Sequence, residues 1–195
     1  MRAFLFYPLI VLASAALIIT SLGFSLTPIV SAPVQGRAVA GGLEFGLNDL
    51  ARVDPGAEQL VFVSRTFNGG IDGVQIATRR VTALPSPTSR GARLVLAPEA
   101  ARALAGKPLR VWIKYRPLVE NSATQLALSA QGAGPGVWVS KTVSAAGETI
   151  LQFDLPAPTD GQLSAIALWP QPQTSNTYYW NYGLEILAAR VESAR

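Results

Sequence analysis

The sequence predicts an all-β antiparallel sandwich with one short helical insert, preceded by a single N-terminal transmembrane helix. Three observations carry this: an uncharged apolar run near the start, a switch to a hydrophobic period of two after Gly42, and turn signals that cut the rest of the chain into short strands. They imply a transmembrane helix at 1–24, a flexible linker at 25–42 and a β-sandwich domain at 43–195.

Ala3 to Phe24 (AFLFYPLIVLASAALIITSLGF) contains no charged side chain. As a helix these 22 residues rise about 33 Å, enough for a hydrocarbon core of about 30 Å. Twelve of them are Leu, Ile, Val or Phe, each favouring insertion by roughly 0.3–0.6 kcal/mol near the centre. Pro8 falls in the first turns, where its missing N–H costs least. A cleaved signal peptide is the rival reading, but its apolar region is shorter, about 7–15 residues, and Pro33 directly follows the small residues Val30-Ser31-Ala32. Arg2 is the only cation on the N-terminal flank, and the next is Arg37, so the amino terminus is expected inside and the remainder outside. Ala13, Ser14 and Ala16 belong to a patch of small residues on which another helix could pack; Ala and Ser are also simply tolerated there.

Ser25 to Gly42 is interrupted by Pro28, Pro33, Gly36 and Gly41-Gly42 and has no helical period, as a tether would. Thereafter Leu43, Phe45 and Leu47 alternate, and Leu60 to Thr66 is β-branched and aromatic. Val74 to Thr78, Ala92 to Leu96, Val111 to Lys114, Leu126 to Leu128, Val137 to Val139, Ile150 to Leu155, Leu163 to Trp169 and Leu184 to Val191 complete the strands. Asp54-Pro55-Gly56, Asn68-Gly69-Gly70, Gly132 to Gly136 and Asp160-Gly161 are the turns between them. Ala97 to Gly106 is the helical insert: Pro98 suits a first turn, Glu99 faces the positive helix end, and Gly106 stops it.

Composition removes whole classes of chemistry. With no Cys and no His, thiol nucleophiles, Ser-His-Asp triads and imidazole or thiolate metal sites are excluded. Ser140 and Lys141 are strand neighbours, so they point to opposite faces and cannot form a dyad. Gly132 to Gly136 precedes a strand and lacks the Lys-Ser/Thr pair of a phosphate loop. Neither enzymatic activity nor a cofactor is expected.

Leu104-Ala105-Gly106-Lys107-Pro108-Leu109-Arg110-Val111-Trp112-Ile113-Lys114-Tyr115 resembles the step into a central strand of galactose-binding-like jelly rolls, which include many carbohydrate-binding modules. Trp138 to Val143 with Glu148 to Pro156 looks like that family's paired strands before the last hairpin, and Leu184 to Glu192 is similar to its closing strand. The resemblance implies a jelly-roll-like sandwich and a glycan ligand. Leu187 stands where the closing motif places an Asp, so the family's structural calcium is not expected here.

The densest aromatic feature is Trp169 followed by Tyr178, Tyr179, Trp180 and Tyr182, with Gln171, Gln173 and Asn176 among them. Aromatic faces against sugar C–H groups, with amides for the hydroxyls, would make a glycan platform. Core or edge packing and a protein or lipid contact are the competing readings. Trp112, Tyr115 and Trp138 are expected in the core. Arg79-Arg80, Arg90 and Arg93 form a basic stretch read as a solvated face, and 15 cations against 12 anions beyond the leader are too few for nucleic-acid binding. The domain type and 13 Arg to 3 Lys point to a Gram-negative inner membrane, with the N-terminus cytoplasmic and the sandwich periplasmic. Two functions are expected from these features: an accessory subunit bound to an integral-membrane protein partner or, as the alternative, a membrane-tethered glycan-binding protein of the cell envelope.

Overall fold

The computed structural model describes Ser14 and residues 31–78, 85–134, 136–171 and 182–194. The leader expected at 1–24 lies outside the described residues except for Ser14, which is helical and exposed. No helix among the described residues is long and apolar enough to cross a membrane.

The strands, in chain order, are β1 (Arg37–Val39), β2 (Gly42–Phe45), β3 (Gln59–Arg65), β4 (Ile71–Thr78), β5 (Ala92–Val95), β6 (Leu109–Pro117), β7 (Gln125–Gln131), β8 (Val139–Thr142), β9 (Thr149–Leu155), β10 (Ala165–Gln171) and β11 (Tyr182–Ser193). Among the described residues two short helices interrupt them: α1 (Leu47–Leu50) and α2 (Pro98–Leu104). Every strand pairing is antiparallel. Sheet I has seven strands organised around the long β11, which pairs with β6 on one side and with β4 and then β2 on the other. A register shift between Ile186 and Ala188 separates the β4 and β2 segments of that side. Sheet II has four strands in the order β5-β10-β7-β8. The inner faces of the two sheets share one core, giving the sandwich expected from the periodicity.

Strand β6 shows how sequence sets the faces. Leu109, Val111, Ile113 and Tyr115 are buried, whereas Arg110 and Lys114 are exposed and Trp112 and Arg116 are partly so. Trp112 was expected in the core with Tyr115, but they stand three positions apart and a strand alternates, so only one can point inward. Tyr115 does; Trp112 lies on the outer face under the Arg190 guanidinium, 5.5 Å from its ring centroid. Around it the outer face of sheet I carries cross-strand ion pairs: Arg110 with Asp154 at 2.8 Å, Lys114 with Glu148 at 2.8 Å, and Arg116 with Glu148 and Glu185, both at 2.9 Å.

Three further segments differ from expectation. Leu47 belongs to α1 rather than to a strand, because Gly46 and the Asp49 carboxylate cap a helical turn that buries Leu50. The end of the segment read as a tether is structured: Val34 is buried and bonded to Val95, and Arg37–Val39 form β1 against β2. The strand expected from Val137 begins at Val139, leaving Gly136 to Trp138 to fold against the sheet instead.

Candidate functional site

Strand β10 reads Ala-Ile-Ala-Leu-Trp-Pro-Gln and is buried along its whole length. Ile166 and Leu168 face the shared core with Leu126, Leu128 and Ala130 of β7. By alternation Ala165, Ala167, Trp169 and Gln171 face outward, opposite Gln131, Ser129, Ala127 and Gln125 of β7. The outer face of sheet II is therefore polar and aromatic yet covered.

Two loops cover it. The segment leading to β5 brings Gly91 over the sheet at a φ of 61°, where a Cβ would come within 2.8 Å of both Leu168 O and Trp138 Cη2. The Gly132–Trp138 segment lays Gly136 directly over Ser129, and a Cβ there would overlap the Ser129 hydroxyl. Trp138 then stacks edge-on against Trp169, with centroids 6.0 Å apart and planes at 73°. Trp138 was expected in the core between the sheets; it is half-buried on the outer side of sheet II, because its segment ends before the strand begins.

Between the loops lies a cleft of about 370 Å³, within the range of small-molecule sites. Its polar lining comes from Thr88, Ser89, Arg90, Arg93, Gln131 and Ser164, with the glycines of the 132–136 turn along one side. Gln131 Nε2 donates to Arg90 O at 3.2 Å and, less closely, to Ser89 O. Arg93 forms an ion pair with Asp54, and the two residues also exchange backbone hydrogen bonds. Burial works against the Asp54 carboxylate, but the Gly56 N–H and the Arg93 and Arg90 guanidiniums outweigh it and hold its pKa below the usual value. The turn itself is held by Asp160, whose carboxylate accepts from the backbone N–H groups of Ala133, Gly134 and Gln162, and these bonds keep its pKa low despite some desolvation.

Seven buried side-chain N or O atoms find no hydrogen-bond partner among the described residues. Five belong to this side of sheet II: Ser129 Oγ, Arg93 Nε, Trp138 Nε1, Trp169 Nε1 and Gln171 Oε1. An unpaired buried polar group costs about 1–3 kcal/mol, so the outer side of sheet II carries more of this cost than the rest of the described residues.

The candidate residues from the sequence divide accordingly. Trp169 is 1% exposed and serves as the floor against Trp138 rather than as an open platform. Tyr182 begins β11 and packs on the core, opposite Thr78. Tyr178, Tyr179 and Trp180 lie outside the described residues, as do Ala13 and Ala16 of the helix-packing patch and Arg79-Arg80. Gln171, noted only as a neighbour of the aromatic run, donates to Gln125 Oε1 at 2.8 Å and to Ser140 Oγ at 3.2 Å. Ser140 thus faces outward, while Lys141 lies 5.8 Å from the ring centroid of core residue Phe153, so the two do diverge. Sequence alone puts Arg90 and Arg93 on a solvated basic face and does not join Gln131 to them; Arg93 is instead partly buried against Asp54. Their signal was faint: two arginines around a glycine (Arg90-Gly91-Ala92-Arg93) and a Gln at the end of a strand.

Neither a family model nor a curated protein matches this chain. Among solved structures, it is similar to the N-terminal CBM22-1-CBM22-2 tandem domain of Xyn10C from Paenibacillus barcinonensis, at 11% identity and a TM-score of 0.43, over 86% of this chain and 44% of that one. It is also similar to the carbohydrate binding module CBM6cm-2 of Cellvibrio mixtus lichenase 5A in complex with cellotriose, at 12% identity and a TM-score of 0.39, over 80% of this chain and 99% of that one. Both TM-scores lie below 0.5, so the functional reading rests on this chain's own residues.

Proposed function

We propose that residues 31–195 form a non-catalytic, jelly-roll-like glycan-binding module, with its site in the cleft on the outer face of sheet II. The observation that carries this reading is the cleft itself, lined by hydroxyls, an amide and guanidiniums. Hydroxyl-rich rings need many moderate hydrogen bonds, and Gln131, Ser89, Thr88 and Ser164 supply donors and acceptors in one place. Trp138, half-buried and braced edge-on by the buried Trp169, gives apolar area near the Gly136 turn. The uncharged run Ala3–Phe24 supports a membrane tether that holds the module outside an inner membrane.

Titration calorimetry of the full-length protein in detergent against a panel of neutral and acidic polysaccharides tests this. Saturable heat with at least one polymer is expected, and Gln131→Ala weakens it about tenfold, the worth of a lost hydrogen bond near 1.4 kcal/mol. Absence of saturable heat across the panel would refute the reading.

A further inference from the structure

Charge in the cleft is unbalanced. Two guanidiniums, Arg90 and Arg93, line it, and no Asp or Glu is among its lining residues. The Asp54 carboxylate pairs with Arg93 through Nη2, and the buried Arg93 Nε has no partner among the described residues. Arg90 is exposed and forms no ion pair among the described residues. Asp160 remains an anion behind the turn, but its oxygens are directed at the N–H groups of Ala133, Gly134 and Gln162 and form no ion pair with either guanidinium among the described residues.

We infer that the cleft recognises an anionic substituent on a sugar, a uronate carboxylate or a sulfate ester, received by the exposed Arg90 guanidinium with the Arg93 side chain beside it in the cleft lining. This rests on the glycan-binding reading and narrows its ligand class. A guanidinium presents planar N–H donors that match the paired oxygens of either anion, and a hydrogen bond to an ionised oxygen is about twice as strong as a neutral one. Arg93 is already oriented by Asp54, so its contact needs little further ordering. Gln131 Nε2 and the Ser164 hydroxyl already donate to backbone carbonyls, which leaves Gln131 Oε1 and the Ser164 Oγ lone pairs as acceptors for the hydroxyls of the same ring.

The test compares polymers that differ only in the anion. Full-length protein in detergent is titrated with polygalacturonate, polymannuronate and glucuronoxylan, each beside its carboxyl-reduced form, and with a sulfated galactan beside its desulfated form. Binding at least about tenfold tighter to one anionic member than to its neutral counterpart is expected, and the pair showing the gap identifies the anion as carboxylate or sulfate ester. Arg90→Gln removes most of that gap, Lys107→Gln, which takes away an exposed charge outside the cleft, leaves it intact, and the gap shrinks from low to high salt. Equal binding within every pair overturns this inference and leaves the glycan-binding reading standing. Equal capture of polyphosphate, with equal losses from Arg90→Gln and Lys107→Gln, overturns it as well, since the chain's net +4 charge would then account for the binding. No binding to any polysaccharide, neutral or acidic, removes both readings together.

Discussion

Replacing Gly91 by Ala tests whether the loop before β5 is seated on sheet II. Two costs add at this position. The residue holds a φ of 61°, a left-handed conformation that costs a side-chain-bearing residue about 1–2 kcal/mol. The new Cβ would also press to 2.8 Å from both Leu168 O and Trp138 Cη2, an overpacking worth about 1–3 kcal/mol because one neighbour is backbone and the other is braced on Trp169. Together they give a loss of about 2–5 kcal/mol, or about 5–15 °C in Tm for a domain of this size. Gly106→Ala is the internal standard: its φ is 71°, but nothing lies within 4 Å of its Cβ, so it incurs the conformational cost alone. Urea unfolding followed by tryptophan fluorescence measures both variants, and the difference between them isolates the contact. Equal destabilisation by the two substitutions would mean that the loop does not rest on Trp138, and the cleft as described would lose one of its walls.

Other perturbations read other parts of the fold. Tyr115→Phe removes the oxygen that accepts from the Ser144 N–H at 2.8 Å, and a loss of about 1–2 kcal/mol is expected in chemical denaturation; a change under about 0.3 kcal/mol would show that the bond is replaced by water. Acid should unfold the protein through carboxylates held low in the folded state. Asp54, Glu148, Asp154 and Asp160 all have folded pKa values below their ordinary values of 3.8 or 4.5, so their stabilisation is complete above those values and is lost as the pH falls through the lowered ones. Stability measured in urea should therefore be level between about pH 6 and 5 and decline below about 4.5, with a shallower decline in Asp54→Asn; an unchanged slope in that variant would deny the Arg93 pair a role.

The strands and the direction of most side chains are legible in the chain alone. Leu109-Arg110-Val111-Trp112-Ile113-Lys114-Tyr115 admits one inward face, and Pro98 to Gly106 carries its own start and stop. These are local properties: a period of two and a cap are written in neighbouring residues. Trp112 was misjudged because its size suggested burial, although its place in the alternation sent it out to Arg190. The strand β1 was obscured by the glycines around it, since three residues carry too little pattern to register against a turn-rich background.

The site, by contrast, is a product of how distant segments come together. Nothing in the run from Ala165 to Gln171 tells that both faces of β10 are covered, because the covering loops come from residues 85–91 and 132–138. Asp54 meets Arg93 across 39 positions and Gln131 meets Arg90 across 41. Such contacts are set by how the two sheets stack and where their loops fall, which depends on the whole chain's packing rather than on any local preference.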